Sequence, residues 1–75
     1  MSKLPVVSGL EVIKALVSFG WVADRQRGDH VILERSGRRS IPVPLYPEIS
    51  KKLLRKIIKE SGIDRKEFIR YLIEK

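Results

Sequence analysis

Apolar positions along the chain run first with helical spacing, then in short strand-like runs, then with helical spacing again. Residues 1–6 read as an extended lead-in. Ser8 and Glu11 have the spacing of a capping box, with Val7 and Val12 placed as its hydrophobic staple. Val12, Ile13, Leu16 and Phe19 continue a helical stripe, and Gly20 offers a left-handed stop. From Trp21 the period shortens. Trp21 to Arg27 predicts a first strand, Gly28-Asp29 a turn and Val31-Ile32-Leu33 a second strand. Ser36-Gly37 predicts a second tight turn, and Arg39 to Val43 a third strand. Three apolar residues in a row at 31–33 leave open which of them face the helices.

Pro42 and Pro44 add a constraint. Amides two apart in a strand point to the same edge, so both prolines remove donors from one side and leave Ile41 and Val43 to pair on the other. The third strand is therefore expected at an edge, closed to further pairing. Ser50 caps a second helix running to about Ser61 and closed by Gly62. Its apolar stripe is Leu53, Leu54, Ile57 and Ile58. Asp64 and Glu67 predict another capping box, with Ile63 and Phe68 as staple, opening a short last helix that buries Phe68, Ile69 and Leu72. The expected fold class is α+β: α-β-β-β-α with a short extra C-terminal helix, the three-stranded antiparallel sheet carrying its helices on one face. With 75 residues, the whole of 1–75 is expected to form a single domain.

Charge changes the picture more than composition does. The formal net charge is +7 and the isoelectric point near 10.2, which on so small a surface attracts polyanions. Lys51, Lys52, Arg55, Lys56 and Lys59 crowd one face of the second helix with no acid before Glu60. Like charges at i,i+4 repel, and a face serving only solubility normally mixes signs, so Lys52, Arg55 and Lys56 are candidate phosphate contacts. Nucleic acid is the first partner class this suggests, an acidic protein the second. The basic residues are spread over several segments, which disfavours a membrane-surface helix. No apolar run approaches the roughly 20 residues of a membrane span, and the N-terminus lacks a signal-peptide core. A cytoplasmic protein is expected. Cysteine is absent, and with one histidine no metal-ligand spacing is present, so no cofactor is expected.

That histidine, His30, carries the candidate chemistry. It follows Arg25-Gln26-Arg27-Gly28-Asp29, at the tip of the predicted turn, with Arg35, Arg38 and Arg39 close behind. An imidazole takes and gives protons near neutral pH, and guanidinium groups grip phosphate. The blander alternative is a surface or structural residue at a hairpin turn. Asp24, Asp29 and Glu34 are candidates for a second proton-transfer group.

These segments together resemble the HicA-type mRNA interferase toxins of prokaryotic toxin–antitoxin systems. Ser8 to Leu16 is similar to that family's opening helix, and Phe19-Gly20-Trp21 to its aromatic-glycine-aromatic step into the first strand. Arg25-Gln26-Arg27-Gly28-Asp29-His30 resembles its Arg-Gln-x-Gly-Ser-His signature, Ile41-Pro42-Val43-Pro44 its Val-Pro strand, and Glu48-Ile49 with Leu53 to Lys59 its second helix. The resemblance implies a fold like the double-stranded-RNA-binding domain. It also implies mRNA as the substrate, His30 as the catalytic histidine, and a small acidic HicB-like antitoxin covering the site; with no ligand cluster to hold a metal, cleavage of single-stranded RNA is expected to be metal-independent. Arg25, Arg27 and Gly28 join the α-helical cations as expected RNA contacts. Asp29 stands where the family commonly has serine, and Pro44 where members often carry another histidine. Asp29→Ser is expected to raise activity if the carboxylate repels phosphate and to lower it if Asp29 orients the imidazole; the serine of the family pattern favours a rise. A non-catalytic RNA-binding module is the alternative reading, and a pure protein-docking domain the third. No heptad seam or large apolar patch is visible, so the free protein is expected to be monomeric.

Overall fold

The computed structural model describes residues 4–74, so the first three residues of the expected lead-in lie outside it; Leu4 to Ser8 are coil. The element order is α1 (Gly9–Ser18), β1 (Val22–Arg27), β2 (His30–Glu34), β3 (Ile41–Pro44), α2 (Lys51–Ser61) and α3 (Arg65–Glu74). The sheet is antiparallel in the order β1-β2-β3, with β3 at an edge.

Local chemistry explains the helix starts. Ser8 Oγ accepts from the Glu11 amide at 3.1 Å, and Glu11 Oε1 accepts from the Ser8 amide at 2.9 Å, completing the capping box. Val7 and Val12 are both buried beside it. Gly9 is required at the first helical position: a Cβ there would lie 1.8 Å from the Pro44 carbonyl oxygen. Ser50 Oγ caps α2 through the Leu53 amide, and left-handed Gly62 closes it. At α3 only half of the expected box forms. Asp64 accepts from the Glu67 amide at 3.2 Å, but the Glu67 carboxylate turns along the helix toward Arg70, 3.7 Å away.

Three expected boundaries move. Trp21 is not strand; its amide bonds to the Leu16 carbonyl and its ring is buried, so it finishes the turn that ends α1. The Ser36-Gly37 turn forms, closed by the Arg38 amide on the Arg35 carbonyl at 3.0 Å, but β3 starts at Ile41 and not at Arg39, so the β2–β3 connection runs from Arg35 to Ser40. The arginines of that connection reach back to helix ends, Arg35 to the Phe19 carbonyl and Arg38 to the Glu60 carbonyl. Cations on free carbonyls at a helix C-terminus offset its partial negative charge. The last helix is not short: at ten residues α3 equals α1.

The core joins Val12, Ala15, Leu16, Trp21, Leu33, Ile41, Val43, Leu54, Ile57 and Phe68 with their neighbours. It lies between the helices and one face of the sheet. Leu33 pairs with Ile41 and Val31 with Val43, which puts Val31 and Leu33 on the core side. Strand alternation then turns His30, Ile32 and Glu34 to the opposite face, and Ile32 lies outside the core cluster. The open question over residues 31–33 is thereby answered.

Candidate functional site

A bulge at Asp24 decides which side chains meet on the open face of the sheet. Ala23 stands opposite Leu33 and Arg25 opposite Ile32, with Asp24 as the extra residue between them. In a regular strand Ala23 and Arg25 would share a face. The bulge separates them, so that Ala23 keeps the side of Leu33 while Arg25 and Arg27 take the side of Ile32 and His30. Nothing in the residue pattern announced this; the strand reading carried no register of its own.

His30 is not the tip of the turn. It is the first residue of β2, paired in register with Arg27 on one side and Pro44 on the other. The turn itself is Gly28-Asp29. Gly28 has φ +62 and no non-glycine residue among those described has positive φ, the pattern of a type II′ hairpin with glycine first. Gln26 Nε2 donates to the Gly28 carbonyl at 2.9 Å and braces the turn from inside the hairpin.

The imidazole is oriented by its neighbour. His30 Nδ1 lies 2.8 Å from Asp29 Oδ1. An ionised carboxylate only accepts, so Nδ1 carries the proton and donates. In the neutral ring, Nε2 then keeps its lone pair and makes no hydrogen bond among the described residues. The side chain is 41% exposed and that of Asp29 64%, so water and a flexible polymer both reach the site. Arg25 pairs with Asp24 at 2.9 Å, whereas Arg27 has no ion pair among the described residues. Of the candidate second proton-transfer groups, Asp24 and Asp29 are thus engaged, and Glu34 is at the far end of β2, opposite Val22.

One neighbour of His30 escaped the sequence reading. The ring of Tyr46 meets the imidazole edge-on, centroids 6.4 Å apart at 72°. Its position in Pro44-Leu45-Tyr46-Pro47, an aromatic between prolines just past an edge strand, was the available signal.

Lys52, Arg55 and Lys56 are exposed on α2 and have no ion pair among the described residues. Among the described residues they make no hydrogen bond or ion pair with His30, whose side chain bonds to Asp29 and meets the ring of Tyr46; the apolar stripe of α2 joins the core. Arg55 and Lys59 instead flank a cleft of about 430 Å³ with Ile58, Gly62, Ile63 and Arg65. Among the described residues no group of three His, Asp or Glu side chains gathers as a metal site, and no helix is long and apolar enough to cross a membrane.

Against known families, residues 9–63 match the model described as the HicA toxin of bacterial toxin–antitoxin systems. The match runs from the start of α1 to just beyond α2; it includes the whole sheet and His30, and α3 falls outside it. No curated protein and no solved structure matches the chain.

Proposed function

The chain belongs to the HicA toxin family of bacterial toxin–antitoxin systems, and on that premise we propose that it is a metal-independent endoribonuclease cleaving single-stranded mRNA in the cytoplasm. The observation that carries this reading is the contact of His30 Nδ1 with Asp29, which leaves Nε2 open on a sheet face shared with two arginines.

The chemistry is transesterification. Nε2 takes the proton of a ribose 2′-hydroxyl, and the 2′-oxygen attacks the adjacent phosphorus. The P–O5′ bond breaks, giving a 2′,3′-cyclic phosphate and a 5′-hydroxyl. Arg27, directly across the hairpin from His30, stabilises the charge developing on the phosphoryl oxygens, and Arg25 assists. The acids nearest the ring are engaged, so solvent supplies the leaving oxygen's proton at this exposed site. A single positioned proton-transfer group contributes about 10²–10⁴-fold, which suits a slow nuclease that must cut few messages to act. Gly28 serves by shaping the turn. Membership of a toxin–antitoxin family implies an antitoxin; a small acidic HicB-like protein fits the +7 charge and would cover His30. The free toxin is read as one monomeric domain.

The test is His30→Ala. Cleavage of single-stranded RNA in excess EDTA should vanish while RNA binding and the thermal midpoint persist. One observation favours the alternative, a non-catalytic RNA-binding module: the cations of α2 are exposed and have no ion pair among the described residues. A binding module cleaves nothing, even as wild type.

A further inference from the structure

Tyr46 is 45% exposed, yet its backbone is unusually well tied down for an exposed loop residue. Its carbonyl accepts from the Gly9 amide at 2.9 Å, at the first turn of α1. The preceding Leu45 amide donates to the Asp29 carbonyl at 2.6 Å, which prolongs the β2–β3 ladder to the residue that orients His30. Beyond it, the Ile49 amide donates to the Val7 carbonyl at 2.7 Å. Three backbone bonds thus hold this segment, and Pro47 further restricts it. The phenol oxygen makes no hydrogen bond among the described residues, so the ring is not kept there by its hydroxyl. What remains is an exposed aromatic ring on an anchored backbone, edge-on to the imidazole.

We infer that Tyr46 is a nucleobase platform: the base of a nucleotide adjoining the scissile phosphate stacks on its ring. The inference rests on the endoribonuclease reading and names the substrate contact of that same site. The separation of the two rings is comparable with the span from a base to its own phosphate. A nucleotide stacked on Tyr46 therefore delivers its phosphate to His30 and to Arg27 across the hairpin. Every base has a π-face, so such a platform binds with little regard to sequence. The anchoring matters because a backbone already ordered loses little entropy when a base settles on its side chain.

The experiment measures binding of fluorescein-labelled 2′-O-methyl RNA decamers, which cannot undergo 2′-hydroxyl attack, by anisotropy. One decamer is intact, and each of the others carries a single abasic position. Tyr46→Leu keeps apolar bulk without a π-face, whereas Tyr46→Phe keeps the face and drops the hydroxyl. The expected result is a five- to hundredfold loss of affinity in Tyr46→Leu and near wild-type affinity in Tyr46→Phe. One abasic position should weaken binding to wild type but not further weaken binding to Tyr46→Leu. Equal affinity of Tyr46→Leu and wild type, with His30-dependent cleavage of unmodified RNA intact, overturns the platform and spares the nuclease. The same holds if Tyr46→Leu weakens only the antitoxin complex. A wild-type protein that neither binds nor cuts RNA overturns the nuclease reading and the platform with it.

Discussion

The open face of the β1–β2 hairpin and the outer face of α2 are both basic, yet they are built differently. On the hairpin, charges are matched and placed: Arg25 has Asp24, His30 has Asp29, and the register sets Arg27 opposite His30. On α2, five cations stand with no ion pair among the described residues, on long side chains anchored only by the stripe beneath them. Ordered, partnered groups suit chemistry, which depends on geometry. Unpaired cations suit electrostatic grip, which depends mainly on their number and on salt. For the proposed nuclease, the difference is expected to place rate on the hairpin face and affinity on the helix face.

The largest expected effect is on the hairpin. His30→Ala should lower single-turnover cleavage by about 10²–10⁴-fold and leave the thermal midpoint within a few degrees, because a partly exposed imidazole buries little apolar area. If that variant is unfolded by circular dichroism, His30 is a structural residue and the contrast between the faces collapses. Next in size, Lys52→Ala with Lys56→Ala should flatten the plot of log affinity against log salt by about 1.4, the slope expected for two lost single-strand phosphate contacts. The cleavage rate at saturating protein should stay put; an unchanged slope would assign this face to solubility or to the antitoxin.

Smaller effects sharpen the comparison within the hairpin. Asp29→Ala should slow cleavage by no more than about fivefold, since an exposed pair is worth up to ~1 kcal/mol. The 2.8 Å contact with Nδ1 favours the second of the two sequence-based expectations for Asp29→Ser: where the carboxylate holds the ring in its base-competent tautomer, serine should lower the rate slightly. The smallest effect is the least intuitive. Deleting Asp24 removes the bulge residue, and the neighbours then alternate regularly with Arg25 and Arg27 still on the face of His30. Cleavage within about twofold of wild type is expected, with the fold retained by circular dichroism.

Much of this frame was legible in the sequence because its signals are local. The Ser8–Glu11 box, the Ser50 cap and Gly62 act within a few residues, and Pro42 with Pro44 mark the edge of the sheet by chemistry alone. The site was legible only as a list. No glycine or proline at Asp24 announces a bulge, yet that residue decides the face on which Ala23 appears. Tyr46 reaches His30 through bonds between distant segments, Gly9 with Tyr46 and Asp29 with Leu45, which no periodicity encodes. The wide β2–β3 connection was missed for the same reason, since its arginines answer to helix ends at Phe19 and Glu60. The half-formed box at Asp64 shows the limit of motif spacing: Glu67 had an alternative partner one turn on in Arg70.

The proposed reaction of the hairpin face is 2′-hydroxyl transesterification without a metal. Its decisive check is mass spectrometry of the products from a single-stranded RNA incubated with wild-type protein in excess EDTA. Fragments ending in 2′,3′-cyclic phosphate and beginning with 5′-hydroxyl are expected, with full protection of a substrate that is 2′-deoxy at the cut position. Fragments with 3′-hydroxyl and 5′-phosphate ends, or cleavage of the deoxy-substituted substrate, would contradict it.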